Sequence, residues 1–218
     1  MYGPSFATVG ENNTAKLKDV VYNATETGDL LLLIDPATAA YDELIFINQA
    51  DAIDLVGEDA VAGWYKDLGD DVFEYKGNID ITLGCAFWIC PYSGAVDMTN
   101  AGEVKMTFTR TLPNYTYSAV ANPFPTKVPL STFNYAATET GDLMLLIDKE
   151  TAAYTELIFI NQADAIDLVG QDAVAGWYFD EGDDVFTYQG GVMLEPGQGS
   201  WYCPYSGDVV ITATLDAK

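Results

Sequence analysis

Short apolar runs, broken by turn residues, recur along the chain at a spacing that suits β-strands. Asp29–Asp35 and Glu43–Asn48 are apolar runs bounded by Gly, Asp and Asn, which is typical of strands buried on both faces. Further runs are rich in aromatic or β-branched residues and are separated by Gly, Asp and Pro: Val72–Tyr75, Ile79–Leu83, Ala86–Cys90 and Val104–Thr109. The pattern predicts an all-β fold, either a sandwich or a partly closed barrel.

The stretch Gln49–Tyr65 departs from this strand pattern. Its apolar residues recur at helical spacing: Ile53, Val56, Ala60 and Trp64. Gly57 and Gly63 oppose a long helix, because each weakens a helix by about 1 kcal/mol. We therefore expect one short helix within this stretch.

An internal repeat covers nearly the whole chain. Shifted by 113 residues, Thr25–Gly77 aligns with Thr138–Gly190, and 44 of the 53 aligned positions are identical. The same shift places WICPYSG at 88–94 on WYCPYSG at 201–207. A proline and a turn-forming asparagine follow the predicted strand that ends near Leu112. The sequence thus predicts two tandem homologous β domains, residues 1–112 and 113–218.

Three motifs of the second copy occur in a distinctive order: NPFP at 122–125, Gly141-Asp142 followed by Asp148, and EPGQGSWY at 195–202. This order resembles the β-rich modules of secreted bacterial proteins, a poorly characterised family with an NPFP-like entry, a central GD…D strand and a PGQGFWY-like late turn. Ser200 stands where phenylalanine is more usual, and the first copy departs from the pattern at both ends. The resemblance implies export and a role at the cell surface, without a particular reaction.

The chain is strongly acidic, with 33 acidic and 9 basic side chains and a formal net charge of −24. Because this charge repels phosphate backbones and anionic membranes, neither a nucleic-acid partner nor membrane insertion is expected. The longest aliphatic run, Leu30–Ile34, is far shorter than the roughly 20 apolar residues of a spanning helix. Residues 1–24 lack a secretory signal pattern, so the expected extracellular or cell-surface location assumes that a signal peptide has been removed.

Catalytic motifs are scarce in this sequence. The chain has no histidine and a single arginine, Arg110, which excludes histidine-dependent triads. It contains no nucleotide-binding, zinc-binding or serine-hydrolase motif. A glycosidase needs only two carboxylates, which residues such as Asp29 and Asp142 supply, yet acids at strand ends are also typical of solvated turns. We expect no enzymatic activity.

Two groups of residues are candidates for binding. The acids of the Gly-Asp-Asp turns are calcium candidates: Asp67, Asp70, Asp71, Asp180, Asp183 and Asp184. The aromatic pairs are candidates for stacking on sugar rings: Trp64, Tyr65, Trp177 and Tyr178. Each group also has a plainer interpretation, as acidic turns without an ion and as core side chains. No cofactor is required, and Ca²⁺ is the ion that the sequence suggests.

The three cysteines, Cys85, Cys90 and Cys203, have no metal-ligand spacing, and an odd number cannot all pair within one chain. We expect them to be small buried hydrophobic residues.

The leading functional hypothesis is a non-catalytic extracellular structural protein that self-associates as the subunit of a filament or surface layer. Two near-identical modules present the same faces twice, which suits head-to-tail contacts between chains. Ser5–Val9 and Val209–Thr214 are expected to pair across chains, because unpaired strand edges are templates for strand addition. The alternative is a bivalent carbohydrate-binding module, in which two weak sites raise avidity and the partner is a glycan.

Overall fold

The computed structural model describes residues 14–34, 40–82, 84–99, 106–148, 151 and 153–215. Within these ranges the protein is mostly β, with 46% of the described residues in strands and two short helices. None of the sheets formed by these residues closes into a barrel. The all-β, sandwich-like fold predicted from the hydrophobic pattern is confirmed. No helix within the described ranges is both long enough and apolar enough to cross a membrane.

The elements of the first copy alternate short strands with tight turns, and a 3-10 turn spans Leu17–Asp19. In chain order they are β1 (Thr14–Lys16), β2 (Val21–Tyr22), β3 (Leu30–Ile34), β4 (Tyr41–Ile47), α1 (Gln49–Val56), β5 (Gly63–Asp67), β6 (Phe73–Tyr75), β7 (Asp80–Thr82), β8 (Phe87–Cys90) and β9 (Met98–Thr99).

The rest of the chain continues in the same manner, with a second 3-10 turn at Leu130–Thr132. Its elements are β10 (Thr107–Leu112), β11 (Ser118–Ala121), β12 (Val128–Pro129), β13 (Phe133–Tyr135), β14 (Leu143–Ile147), β15 (Tyr154–Ile160), α2 (Gln162–Leu168), β16 (Gly176–Gly182), β17 (Val185–Tyr188), β18 (Met193–Leu194), β19 (Gly199–Cys203) and β20 (Val209–Thr214).

Each copy contains one large antiparallel sheet. The strand order is β6-β5-β4-β3-β8 in the first copy, and β17-β16-β15-β14-β19-β11 in the second. A shift of 113 residues relates the two registers, since Leu31 pairs with Leu44 and Met144 pairs with Leu157. The two large sheets therefore have the same strand order, and β11 is an additional edge strand in the second.

A small sheet covers one face of each large sheet. In the second copy it has the order β10-β20-β13, and in the first copy the described residues contribute β2 and β9 to it. In the second copy, Phe133 and Ile211 of the small sheet share one hydrophobic core with Met144, Phe159 and Trp177 of the large sheet. The two sheets thus pack against each other through their apolar faces. This is the sandwich arrangement expected for strands in which apolar and polar residues alternate.

The helix predicted within Gln49–Tyr65 is present but short. The Asn48 side chain caps its N-terminus by accepting a hydrogen bond from the Asp51 backbone N–H at 2.9 Å. The helix ends before Gly57, which has a φ of +137°, and Trp64 lies in β5 instead. α2 repeats this arrangement after Asn161 and ends one residue earlier, at Leu168.

The C-terminal strand does not lie at a sheet edge. β20 pairs along its length with β10 and also with β13, so both of its hydrogen-bonding sides are occupied. The expectation that Val209–Thr214 is an unpaired edge is therefore wrong, because the linking segment between the copies supplies a neighbour. Ser5–Val9, the other expected edge, lies outside the described residues.

Candidate functional sites

The aromatic pairs predicted to stack on sugars are core residues. Trp64, Tyr65, Trp177 and Tyr178 are all at most 3% exposed. Successive side chains of a strand point to opposite faces, and in β5 both faces are covered. Trp64 packs in the sandwich core against Phe46, while Tyr65 lies on the other face beside Ala52 of α1. The sugar-stacking assignment of these four residues is thus wrong.

The calcium candidates lie on two equivalent hairpin turns. Asp67 accepts a hydrogen bond from the Gly69 backbone N–H at 2.7 Å, and Asp180 accepts one from Gly182 at 2.8 Å. The other four acids have left-handed backbone conformations, with φ between 52° and 61°: Asp70, Asp71, Asp183 and Asp184. All six side chains are exposed, and no three acidic or cysteine side chains of the described chain form a group suited to a metal ion. The geometry accounts for these acids as turn residues.

A buried carboxylate joins the two sheets of the first copy. Asp29, which precedes β3, has no exposed surface. Its Oδ2 accepts hydrogen bonds from the hydroxyls of Tyr22 at 2.6 Å and Ser93 at 2.7 Å. Its Oδ1 accepts from the backbone N–H groups of Tyr92 at 2.7 Å and Ser93 at 2.8 Å. One side chain therefore connects the small sheet, the large sheet and the loop after β8.

The second copy repeats this cluster around Asp142, which is also fully buried. Tyr135 and Ser206 donate their hydroxyls to Oδ2, each at 2.9 Å. The backbone N–H groups of Tyr205 and Ser206 donate to Oδ1 at 2.7 and 2.9 Å. We call each set of four bonds an aspartate clamp. The interpretation of these two acids as solvated turn residues is wrong, and their burial also removes them as acids that reach a glycoside.

Burial and these hydrogen bonds together shift the pKa of Asp29 and of the two clamp tyrosines. Burial favours a higher pKa for Asp29, but the four donors hold its pKa below its usual range. Burial, together with the hydrogen bond to the ionised carboxylate, raises the pKa of Tyr22 and of Tyr135. The tyrosines therefore remain protonated donors at neutral pH while Asp29 remains an acceptor.

The cysteines differ from one another in exposure. All three thiols are free, and Cys203 is buried, Cys85 half-buried and Cys90 exposed. The expectation of buried cysteines is thus confirmed for Cys203 and is wrong for Cys90, because Cys90 ends β8 at the start of a surface turn. Burial raises the pKa of Cys85 to about 12, so this thiol is protonated at neutral pH.

The two copies meet along β11 and the start of β8. Cys85 forms an antiparallel bridge with Val120, and the Ala121 N–H donates to the Gly84 carbonyl at 2.9 Å. Around this contact lies an apolar cluster drawn from both copies: Ile34, Ala86 and Trp88 with Ala119, Ala121, Ile147 and Trp201. The copies are therefore joined by backbone pairing as well as by apolar packing.

Arg110 crosses this junction. Its Nη1 donates to the Ala119 carbonyl at 2.7 Å and to the Gly84 carbonyl at 3.4 Å. Burial lowers the pKa of its guanidinium, which still carries its charge at neutral pH. The arginine thus connects β10 and β11 with the first copy.

We expect Arg110→Met to lower the free energy of unfolding by about 1–3 kcal/mol, because the apolar stem is kept while two buried carbonyls lose a charged donor. Urea unfolding followed by fluorescence measures this. Lys127→Met is the matched control, since Lys127 forms an exposed ion pair with Glu195 that contributes at most about 1 kcal/mol. Equal stabilities of the two variants would contradict the role assigned to Arg110.

Two equivalent surface pockets lie where each helix is followed by its loop. Their cavity volumes are about 380 Å³ in the first copy and about 340 Å³ in the second. The first is lined by Val56, Glu58, Asp59, Val61, Tyr65 and Tyr75. The second has the same residues 113 positions later, except that Gln171 replaces Glu58. Tyr75 and Tyr188 line these pockets. The sequence pattern placed Tyr75 in the strand run Val72–Tyr75, but neither tyrosine was predicted to be an accessible aromatic residue.

No protein-family model, no curated protein and no solved structure matches the chain.

Proposed function

We propose that the chain is a non-catalytic structural protein of the cell surface, and that it assembles with copies of itself by strand addition. The cell-surface location rests on the resemblance to modules of secreted bacterial proteins. The assembly rests on one observation, the way in which β10 completes the second copy.

β10 lies in the segment that links the copies, yet among the described strands its backbone pairs with a strand of the second copy, β20. All six of its residues pair with β20, from Thr107 opposite Thr214 to Leu112 opposite Val209. Phe108 and Leu112 point inward and are 3% and 0% exposed. A strand from outside the repeated unit therefore closes its small sheet and fills its core, as in β-augmentation.

The corresponding position in the first copy offers an acceptor for such a strand. β9 is the equivalent of β20, since Val21 pairs with Thr99 as Asn134 pairs with Thr212. Within the described residues, β2 is the only strand beside β9.

The core at this position is also less covered in the first copy. Tyr135 is 6% exposed and Ile211 is 0% exposed, whereas the equivalent Tyr22 and Met98 are half-buried. A strand from a neighbouring chain, with apolar residues spaced as in β10, would bury these side chains and saturate the edge.

The backbone of Met98 faces this edge. In the second copy, the Ala136 N–H donates to the Val210 carbonyl on the side of β13. Because successive residues of a strand turn their backbone groups to opposite sides, Ile211 faces β10. The equivalent of Ile211 is Met98, so the N–H of Met98 points away from β2.

We expect Met98→Pro to abolish self-association while leaving a folded chain, because proline removes a donor at the edge and keeps the pairing with β2. Sedimentation velocity and electron microscopy of the purified protein measure the assembly, and circular dichroism measures the fold. Met98→Leu is the matched control and should assemble like the natural chain. A natural chain that stays monomeric at millimolar concentration, or a folded Met98→Pro variant that assembles equally well, would refute the proposal.

A further inference from the structure

The two pockets that follow the helices are built around a tyrosine in a fixed position. Tyr75 packs edge-on against Tyr65, with ring centroids 5.3 Å apart and an interplanar angle of 62°. A Cβ placed on Gly63 would lie 2.9 Å from Cε2 of Tyr75, and one on Gly77 would lie 2.1 Å from its hydroxyl oxygen. Gly63 and Gly77 therefore make room for the Tyr75 ring, which packs directly against their backbone. The rest of the ring surface lines the pocket.

In the second copy, Tyr188 occupies the position that is equivalent to Tyr75. Its ring lies 5.3 Å from that of Tyr178, and Cβ atoms on Gly176 and Gly190 would approach it to 2.7 and 2.1 Å. Tyr188 is 41% exposed. An aromatic ring held this rigidly offers a binding surface that loses little conformational entropy when a ligand covers it.

The loop opposite the ring is also held in place. Gln49 donates to the Ala60 carbonyl at 2.7 Å and accepts from the Ala62 N–H at 3.0 Å. The Tyr65 hydroxyl donates to the Val61 carbonyl at 2.6 Å. Equivalent bonds in the second copy run from Gln162 to Ala173 and from Ala175 to Gln162. Ring and loop thus form a pocket that exists before any ligand arrives.

The lining of the pockets indicates the kind of ligand. Val61 and Val174 are 47% and 46% exposed, so each rim combines apolar surface with the tyrosine ring. Asp59 and Asp172 add an exposed carboxylate that accepts hydrogen bonds. A pyranose ring has an apolar C–H face for stacking and hydroxyl groups that donate to a carboxylate. Anionic ligands are disfavoured by these carboxylates and by the net charge of −24.

We propose that the Tyr75 pocket and the Tyr188 pocket each bind one neutral pyranose residue of a glycan. This binding goes beyond the assembly function, since it uses neither β9 nor β10. Two equivalent sites on one chain raise the avidity for a polysaccharide by about a hundredfold where both sites engage it. The chain thereby gains a contact with a sugar-rich matrix in addition to its contacts with itself.

Affinity electrophoresis tests this with native gels that contain xyloglucan, galactomannan or mixed-linkage β-glucan, and with an alginate gel as the anionic comparison. We expect retardation of the natural chain in at least one neutral gel and none in alginate. Tyr75→Ala and Tyr188→Ala should each weaken the binding at least about tenfold through lost avidity, and the double variant should migrate as in a gel without polysaccharide.

Two sets of variants separate binding from folding. Val61→Asp combined with Val174→Asp alters only the exposed rim and should abolish retardation without changing the melting temperature. Tyr92→Ala removes a tyrosine that is 74% exposed and lies outside both pockets, so it should migrate like the natural chain.

Absence of retardation in all the neutral gels would refute the proposal, as would unchanged retardation of both double variants. Binding to oligolysine without binding to any neutral gel would assign the pockets to basic peptides instead. Sedimentation of the same variants without polysaccharide reports on assembly separately.

Discussion

Replacing Asp142 by alanine is expected to lower the free energy of unfolding by about 3–5 kcal/mol, the range typical of breaking a buried network at one partner. The substitution leaves the Tyr135 hydroxyl, the Ser206 hydroxyl and two backbone N–H groups without their acceptor. These donors come from the small sheet and from the loop after β19, so the two layers lose their common anchor. Urea unfolding monitored by tryptophan fluorescence measures the change.

Asp142→Asn removes the negative charge of the side chain but keeps its capacity to form hydrogen bonds. The asparagine carbonyl still accepts from the two N–H groups, and the two hydroxyls can turn to accept from its NH₂ group. We therefore expect a smaller loss, about 1–2 kcal/mol. Glu139→Ala, an exposed acid close by in sequence, should change the stability by no more than about 0.5 kcal/mol. The clamp would not anchor the layers if Asp142→Ala were as stable as Glu139→Ala.

The equivalent aspartate clamp in the first copy makes the free energy of unfolding depend on pH. The pKa of Asp29 is lowered in the folded state, so its stabilising contribution is complete above the unfolded pKa of about 3.9. The contribution is lost as the pH falls from there through the lower pKa of the folded state. We expect the difference in unfolding free energy between the natural chain and Asp29→Asn to shrink below about pH 4. A difference that stays constant from pH 7 to pH 2 would contradict this.

The strands and helices could be predicted because they depend on local patterns. The run Val72–Tyr75 corresponds to β6, and the helical spacing after Gln49 corresponds to α1. The clamps could not be predicted in this way, although the sequence displays their residues in both copies. Asp29 meets Tyr92 and Ser93 across more than 60 residues. Only the pairing of β3 with β8 brings them together.

The assignment of the aromatic residues failed for a related reason. Alternation along β5 shows that Trp64 and Tyr65 face opposite sides, but it does not show that α1 and its loop cover the outer side. The accessible ring, Tyr75, lies one strand further along, where Gly63 from β5 makes room for it. Whether a ring is exposed depends on which elements stack on the sheet, and a single strand pattern does not contain that information.

β10 was predicted as a strand, but its partner was not. The predicted run Val104–Thr109 overlaps the observed Thr107–Leu112, and the predicted boundary after Leu112 assigned it to the first copy. Its inward residues are nevertheless part of the core of the second copy. An alternating strand fits any sheet with an open edge, so its position depends on which edge lies within reach of the chain.

Phe108→Ala is expected to lower the free energy of unfolding by about 3–5 kcal/mol, as for other buried phenylalanines. The Phe108 ring packs against Phe133 of β13 at a centroid distance of 6.3 Å, and its Cε2 would lie 2.3 Å from a Cβ on Gly84. The ring therefore fills the core of the second copy and also touches the junction with the first. Thr109→Ala is the matched control, because Thr109 is the exposed neighbour on the same strand and should contribute less than about 0.5 kcal/mol.

Limited proteolysis should cut Phe108→Ala first within residues 113–215, since that part of the chain loses the strand that closes its small sheet. First cleavage within residues 14–99, or equal stability of the two variants, would mean that β10 does not stabilise the fold of the second copy.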